Sequence, residues 1–420
     1  LIVIISFVYL MRRNGPWWII SIPGFYMVIY ALFNVVGGPL LINDYSAANM
    51  KYIIALNLGM LIHVLVYSLT AHFYGFNFKK EMDAYVHRPI RSPIGPEILF
   101  RSYFIIALLI CAGVSLQYLS RLPSIPLVEM IKHPSTRDLL AQSREAATTG
   151  FEGKYHRYQF FFGLFLPILT IIAFARFYVR RTGFWKWMFI FSTLFCIFMH
   201  FEDLQKSPVV FYLSSMVFTL LILWKKFSYK ALTIFSLVML GLLMLMYFFI
   251  MGIVYGGSSR LVEMITMRLF FAQTRGTMVM FQVIPGVHDF FYGTTFPNPG
   301  HLLPYEPFVL TKYIYYKMMG RGIVEGTAPC TYYMDFYANF GYAAMIASMF
   351  IGAFIIQWMQ IFFLRKPKTL ILFATYCFLI IHTSRCAISS ALVVFGVPTL
   401  FLFLCLYVLH LADTSSRSIV

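Results

Sequence analysis

Long uninterrupted apolar runs, separated by short polar breaks, decide what this chain can fold into. Runs such as IIALNLGMLIHVLVYSLTAHF over 53–73 continue for about 17 to 25 residues, the length a helix needs to cross roughly 30 Å of hydrocarbon. A membrane barrel would instead show stretches of about ten residues alternating polar and apolar positions. Continuous runs therefore imply helices, which satisfy every backbone group internally. Composition agrees: 60% of the 420 residues are hydrophobic and only 12% are charged, with mean hydropathy +0.76. No soluble core hides that much apolar surface.

The expected fold class is all-α, a polytopic transmembrane helical protein with about eleven visible spans. They fall near 1–11, 17–42, 52–75, 98–118, 159–179, 184–201, 208–224, 231–255, 341–363, 369–384 and 388–410. The first run makes only half a crossing, so twelve spans are expected in a full chain. Three regions follow: N-terminal membrane helices over 1–255 with a loop at 119–158, a large polar loop over 256–340, and C-terminal membrane helices over 341–420.

The net charge of +17 sits in short clusters between apolar runs, which reports orientation rather than a nucleic-acid-binding face. Arg12 and Arg13, Lys79 and Lys80 with Arg88 and Arg91, Arg180 and Arg181, Lys225 and Lys226, then Arg365, Lys366 and Lys368 occupy one set of breaks, which marks that side as cytoplasmic. Five of the six Trp residues hug those clusters. Both long loops then face outward. The six Cys are scattered through apolar runs and form no disulfide framework.

The first long loop opens with Pro123 and Pro126 and reads as one amphipathic helix on the outer leaflet. Its arginines, Arg137, Arg144 and Arg157, are either solvated surface charges or collectors of an anionic lipid-linked substrate. Membrane interiors hold almost no ionisable residues: His63 near a helix centre reads as a packing histidine, and Arg176, Glu202, Asp203, Lys206 and Arg385 lie toward helix ends. That pattern disfavours a channel or proton-coupled carrier.

Chemistry is expected in the 256–340 loop. Arg268 and Arg275 are seven residues apart and share a face on a helix, as two guanidinium forks gripping one diphosphate would; a surface lattice with Glu263 is the alternative. Lys206 opens a helix N-terminus and adds a point charge for an anion. The segment VIPGVHDFFYGTTFPNPGHLLPYEP carries His288, His301 and Glu306 at no metal-ligand spacing. No metal or cofactor is expected. Its tyrosines, Tyr292 among them, suit stacking on sugars or a place at the membrane interface.

The loop ends in DFYANFGYAAM (335–345), which resembles the Glu-x-Tyr-x-Asn-Phe-Gly signature entering a late membrane helix in bacterial oligosaccharide repeat unit polymerases, the Wzy-type O-antigen and capsule polymerases. Tyr337, Asn339, Phe340 and Gly341 match, whereas Asp335 stands where the family has Glu. Lys206 occupies a place where many members have Arg. Some members carry Arg, ten residues, then Gly in both long loops; Arg275 to Gly286 fits, and the earlier loop does not. The related O-antigen ligases place a His-Asn pair about eleven residues before the Gly, where this chain has Cys330.

The resemblance implies a GT-C-like membrane glycosyltransferase in the bacterial cytoplasmic (inner) membrane, with its active loop periplasmic or extracellular. Its substrate would be an undecaprenyl-diphosphate-linked oligosaccharide, transferred outside the membrane to lengthen a polysaccharide of the lipopolysaccharide or capsule type. Asp335 or His288 would serve as base, and Arg268, Arg275, Lys206 and Arg157 would face the diphosphate. Tyr292, Tyr333, Tyr337 and Asn339 would face the saccharide. Membrane lipid, and a chain-length regulator protein, are the further partners implied. A ligase, another lipid-linked-sugar glycosyltransferase and a polyprenyl-lipid flippase are the alternatives.

Overall fold

The computed structural model describes residues 2–32, 46–91, 96–132, 137–148, 151, 155–204, 206–247, 272–298, 301–320 and 326–387. Among the described residues every regular element is helical, and strand pairing is limited to one isolated bridge between Arg91 and Thr369. Seven helices among the described residues are long and apolar enough to cross a membrane: Ala47–Phe73, Glu97–Ser120, Arg157–Arg180, Gly183–Phe201, Ser207–Trp224, Tyr332–Arg365 and Leu370–Ala387. Their outer faces are apolar as well. Leu61, Leu65 and Leu69 recur every four residues and are each more than 40% exposed, a stripe that suits lipid and would be costly in water.

Four of the eleven expected spans are not among the seven. Ile2–Asn14 has 13 residues, about 20 Å at 1.5 Å per residue, too short to cross. The second expected span is interrupted at once: Pro16–Ile20 is a 3₁₀ turn, Ser21 accepts a hydrogen bond from the Gly24 N–H at 3.1 Å, and a new helix runs Ile22–Tyr30. Ser21 is thus an N-cap, with Pro23 in the first turn where its missing N–H costs nothing. Tyr229–Tyr247 is the described part of the eighth span; its remainder, 248–255, like 33–42 of the second span and all of the eleventh, 388–410, lies outside the described residues. The outer loop, expected as one helix, contains two, Pro126–Lys132 and Arg137–Ala147.

The chain divides into two compact units. The first draws on Leu1–Ala84, Val262–Arg365 and His382–Leu400. In it the 47–73 helix packs along the 332–365 helix and also touches 2–14 and 272–283. His63 is fully buried there, its Nδ1 at 2.6 Å from the Gly59 carbonyl and its ring stacked on Tyr26 at 4.9 Å. Those contacts are what a packing histidine makes. Arg365 grips Glu81 through Nε and Nη2 at 2.9 to 3.2 Å, and the same Nη2 donates to the carbonyls of Tyr74 and Gly75.

The second unit draws on Tyr85–Leu261, Lys366–Ile381 and Phe401–Val420. Here Arg176 pairs with Glu97, which also accepts from the Trp185 indole at 2.7 Å. Lys368 is only 2% exposed and donates to the carbonyls of Tyr85, Val86 and Arg88 at 3.1 to 3.3 Å. It sits over the Tyr85 and Phe373 rings. A cation thus closes the carbonyl end of the 78–87 helix, and burial pulls its ammonium down to about 8.

Candidate active site

The 332–365 helix is not one rod. Gly341 has φ 77° and ψ −162° and breaks it, and the space where a Cβ would stand lies 3.3 Å from the Phe290 ring. That backbone favours glycine. The Tyr332 hydroxyl donates to the Met349 carbonyl at 3.4 Å, although 17 residues along a straight helix would span about 25 Å. The motif helix, 332–340, therefore folds back beside the start of the membrane-crossing stretch, 342–365, and Gly352 leaves room for the Tyr332 ring. The motif, expected to pass straight into its membrane helix, turns at Gly341 instead.

The loop that precedes it locks onto the open end of the motif helix. The N–H groups of Phe291 and Tyr292 donate to the Ala338 and Asn339 carbonyls at 3.0 and 3.1 Å, supplying partners that the end of a helix lacks. Asn339 completes the joint. Its Oδ1 accepts from the Gly293 N–H at 2.7 Å, and its Nδ2 donates to Thr295 Oγ1 and the Asp335 carbonyl, both at 2.6 Å. Tyr337 donates from its hydroxyl to the Ile284 carbonyl at 2.9 Å and packs on Phe281. Loop 284–296 and motif 335–341 thus form one folded piece.

Within that piece Asp335 stands apart. It is 8% exposed, its carboxylate oxygens accept no hydrogen bond among the described residues, and it lies ahead of the crossing stretch. Burial alone pushes the carboxyl up to about 7, because the charged form loses water and gains no compensating partner. It is the fourth residue of the motif helix and makes no side-chain bond that would cap the start of that helix. An uncompensated buried carboxyl near neutral pH is the state a proton acceptor needs.

The other expected site residues separate clearly. His288 is half-buried, its Nδ1 at 2.6 Å from the Asp289 carbonyl and its ring stacked on Phe291 at 4.2 Å, beside Tyr313. Its Nε2 remains uncommitted among the described residues. Tyr292 is 73% exposed, at the tip of the loop that caps the motif helix. Tyr333, Tyr337 and Asn339, expected against the saccharide, are instead fully buried: Tyr333 meets the Tyr30 hydroxyl at 3.1 Å, and the other two hold the joint. They position the site rather than line it. Arg275 is exposed on the 272–283 helix, whose Gly276 packs closely on the Pro329 carbonyl just before the motif helix.

Arg268 lies outside the described residues. Arg157 is exposed on the 155–159 helix of the second unit, and Lys206 opens the 206–224 helix there. That unit also carries a group that sequence reasoning passed over. Glu202 is 1% exposed; its Oε1 accepts from the Tyr118 hydroxyl at 3.0 Å, while its Oε2 has no partner among the described residues. Tyr118 also donates to the Ala147 carbonyl at 2.7 Å, Arg144 Nε donates to the Asp203 carbonyl at 3.1 Å, and Leu127 N–H to the Glu202 carbonyl at 3.0 Å. These bonds fasten both outer-loop helices. Burial and the neighbouring Asp203 push the Glu202 carboxyl up to about 8. Position at a helix end was visible in the sequence; the partners, drawn from residues 118 to 147, were not.

Comparison with protein-family models, with curated proteins and with solved structures finds no match. The functional reading therefore rests on the residues themselves and on the motif they spell.

Proposed function

We propose that this protein is a membrane glycosyltransferase that polymerises undecaprenyl-diphosphate-linked oligosaccharide repeat units on the outer face of the bacterial cytoplasmic membrane. The observation that carries the proposal is the division of labour in DFYANFG: Tyr337 and Asn339 hold the joint and Gly341 makes the turn, whereas the Asp335 carboxylate is buried with no hydrogen bond among the described residues.

In the reaction, Asp335 takes the proton of the acceptor hydroxyl as that oxygen attacks the anomeric carbon of the donor sugar. The bond from that carbon to the diphosphate oxygen breaks, and its electron pair leaves with the lipid diphosphate, giving inversion at the anomeric centre. Arg275, with Arg268, meets the leaving charge through guanidinium forks. Tyr292 offers an exposed ring for a sugar face. His288 is the second candidate base, held by stacking on Phe291.

The test is a strain lacking this gene, its glycans resolved on a polysaccharide gel with and without the restored gene. Surface glycan ending at a single repeat unit supports the polymerase. Complete loss of surface-attached glycan points to a ligase or a lipid flippase. Arg275→Lys, which keeps charge but loses the planar fork, should shorten the polymer at normal membrane abundance.

A further inference from the structure

A polar cavity lies in the first unit, among residues of the basic breaks rather than of the large loop. It measures about 100 Å³ and is lined by Arg13, Asn14, Trp18, Tyr67, Asn77 and Gln357 together with apolar side chains. Trp18, Tyr67 and Gln357 are 2%, 4% and 6% exposed. The Tyr67 hydroxyl has no hydrogen-bond partner, and neither the Trp18 indole N–H nor the Gln357 amide finds one among the described residues. A buried hydroxyl left unpaired costs about 1 to 3 kcal/mol, and Tyr67 lines the cavity together with Trp18 and Gln357, so an occupant with several acceptor atoms fits it.

The charge at the cavity selects its sign. Arg13 spends Nη1 on the Tyr9 and Ser68 hydroxyls at 3.1 Å each, which holds the guanidinium at the rim with Nε and Nη2 uncommitted. No carboxylate lines the cavity. Asn77 uses its Oδ1 to accept from the Lys80 N–H at 3.1 Å, leaving its NH₂ as another donor. An excess of donors around one guanidinium fits an oxyanion. At about 100 Å³ the cavity is well above the roughly 10 to 15 Å³ that one water needs, and has room for one tetrahedral headgroup phosphate.

Its place selects the source. Arg13 ends the 2–14 helix and Ser68 lies in the last turns of the 47–73 helix. Arg12, Lys79 and Lys80 flank the opening in sequence, and such a cluster beside helix ends draws anionic lipid. We propose that this cavity seats the phosphate headgroup of an anionic membrane lipid, with Arg13 as its ion-pair partner and Trp18, Tyr67 and Gln357 donating to its oxygens.

The full chain, purified in detergent and examined by native mass spectrometry, tests this with three probes: phosphatidylglycerol, phosphatidylcholine and free glycerol phosphate. Retention of phosphatidylglycerol over phosphatidylcholine is expected, with a loss of about tenfold in Arg13→Gln and in Gln357→Leu. Tyr67→Phe, which removes only a hydroxyl and keeps the ring in place, should weaken retention in the same direction. Occupation by glycerol phosphate without any preference between the lipids would assign the cavity to a soluble phosphate and overturn the lipid source. Equal retention in the wild type and all three variants would leave it a water-filled space and overturn the proposal altogether.

Discussion

Asp335→Asn separates chemistry from architecture because the two readings move activity and stability in opposite directions. Burial raises the carboxyl from 3.8 to about 7, and a shift of roughly three units corresponds to about 4 kcal/mol in favour of the neutral acid. The native state therefore holds this proton more tightly than the unfolded chain does. The stabilisation is complete below the unfolded value near 4 and is lost as pH rises through about 7. At pH 8 the wild type carries a buried, unpaired charge, and an Asn of nearly the same shape carries none. The variant should already melt slightly above the wild type near pH 5 and several degrees above it near pH 8, the gap levelling off once pH exceeds about 7. Its activity should fall at least about a hundredfold, since an amide cannot accept the proton.

Both quantities can be read on one preparation, with thermal unfolding from pH 5 to 8 and polymer formation from a lipid-linked repeat unit in proteoliposomes. Wild-type turnover should rise as pH passes about 7, where the base ionises. A stably inserted Asn variant that makes polymer within a few-fold of the wild type would remove Asp335 from the reaction and pass the role to His288. An inactive variant that is also less stable at every pH would show a structural carboxyl instead.

Asn339→Ala removes three hydrogen bonds at once; at about 1 kcal/mol each, hydrogen exchange at Phe291 to Gly293 should speed up about a hundredfold or more. Glu202→Gln mimics the protonated acid, so between pH 6.5 and 9 the wild type should lose more stability than the variant as pH climbs through about 8, read as a widening difference between their melting temperatures. Tyr292→Cys should react with a membrane-impermeant thiol reagent added from outside and Ser228→Cys should not; the reverse pattern would invert the orientation.

The helical class and seven of the spans were legible in the sequence because lipid imposes a length and a polarity that composition records directly. The break at Ser21 was written there too, in the Ser-Ile-Pro sequence, but a hydropathy window averages over a cap. Lys368 shows where charge counting misleads: it belongs to the basic breaks and counts toward orientation, yet it is buried under three carbonyls. At the site, the motif named the residues without their duties. Tyr333, Tyr337 and Asn339 are the polar and aromatic types that bind sugars, and the same atoms serve equally well to tie two backbone segments together. Only the partners decide, and those of Asn339 lie 44 and 46 residues away. Gly341 was readable as a required glycine; that it reverses the chain instead of continuing it depends on Phe290 and Gly352.

The joint between the 284–296 loop and the 335–341 motif also bears on heredity and on engineering. Because Asn339 accepts from Gly293 and donates to Thr295, a change in either segment alters what the other must offer, so the two should drift together in any lineage that keeps the site. A chimaera that exchanges only one of them inherits an unmatched half. Transplanting the chemistry to another scaffold would require carrying both pieces as a single cassette, with the intervening stretch, 297–334, open to replacement.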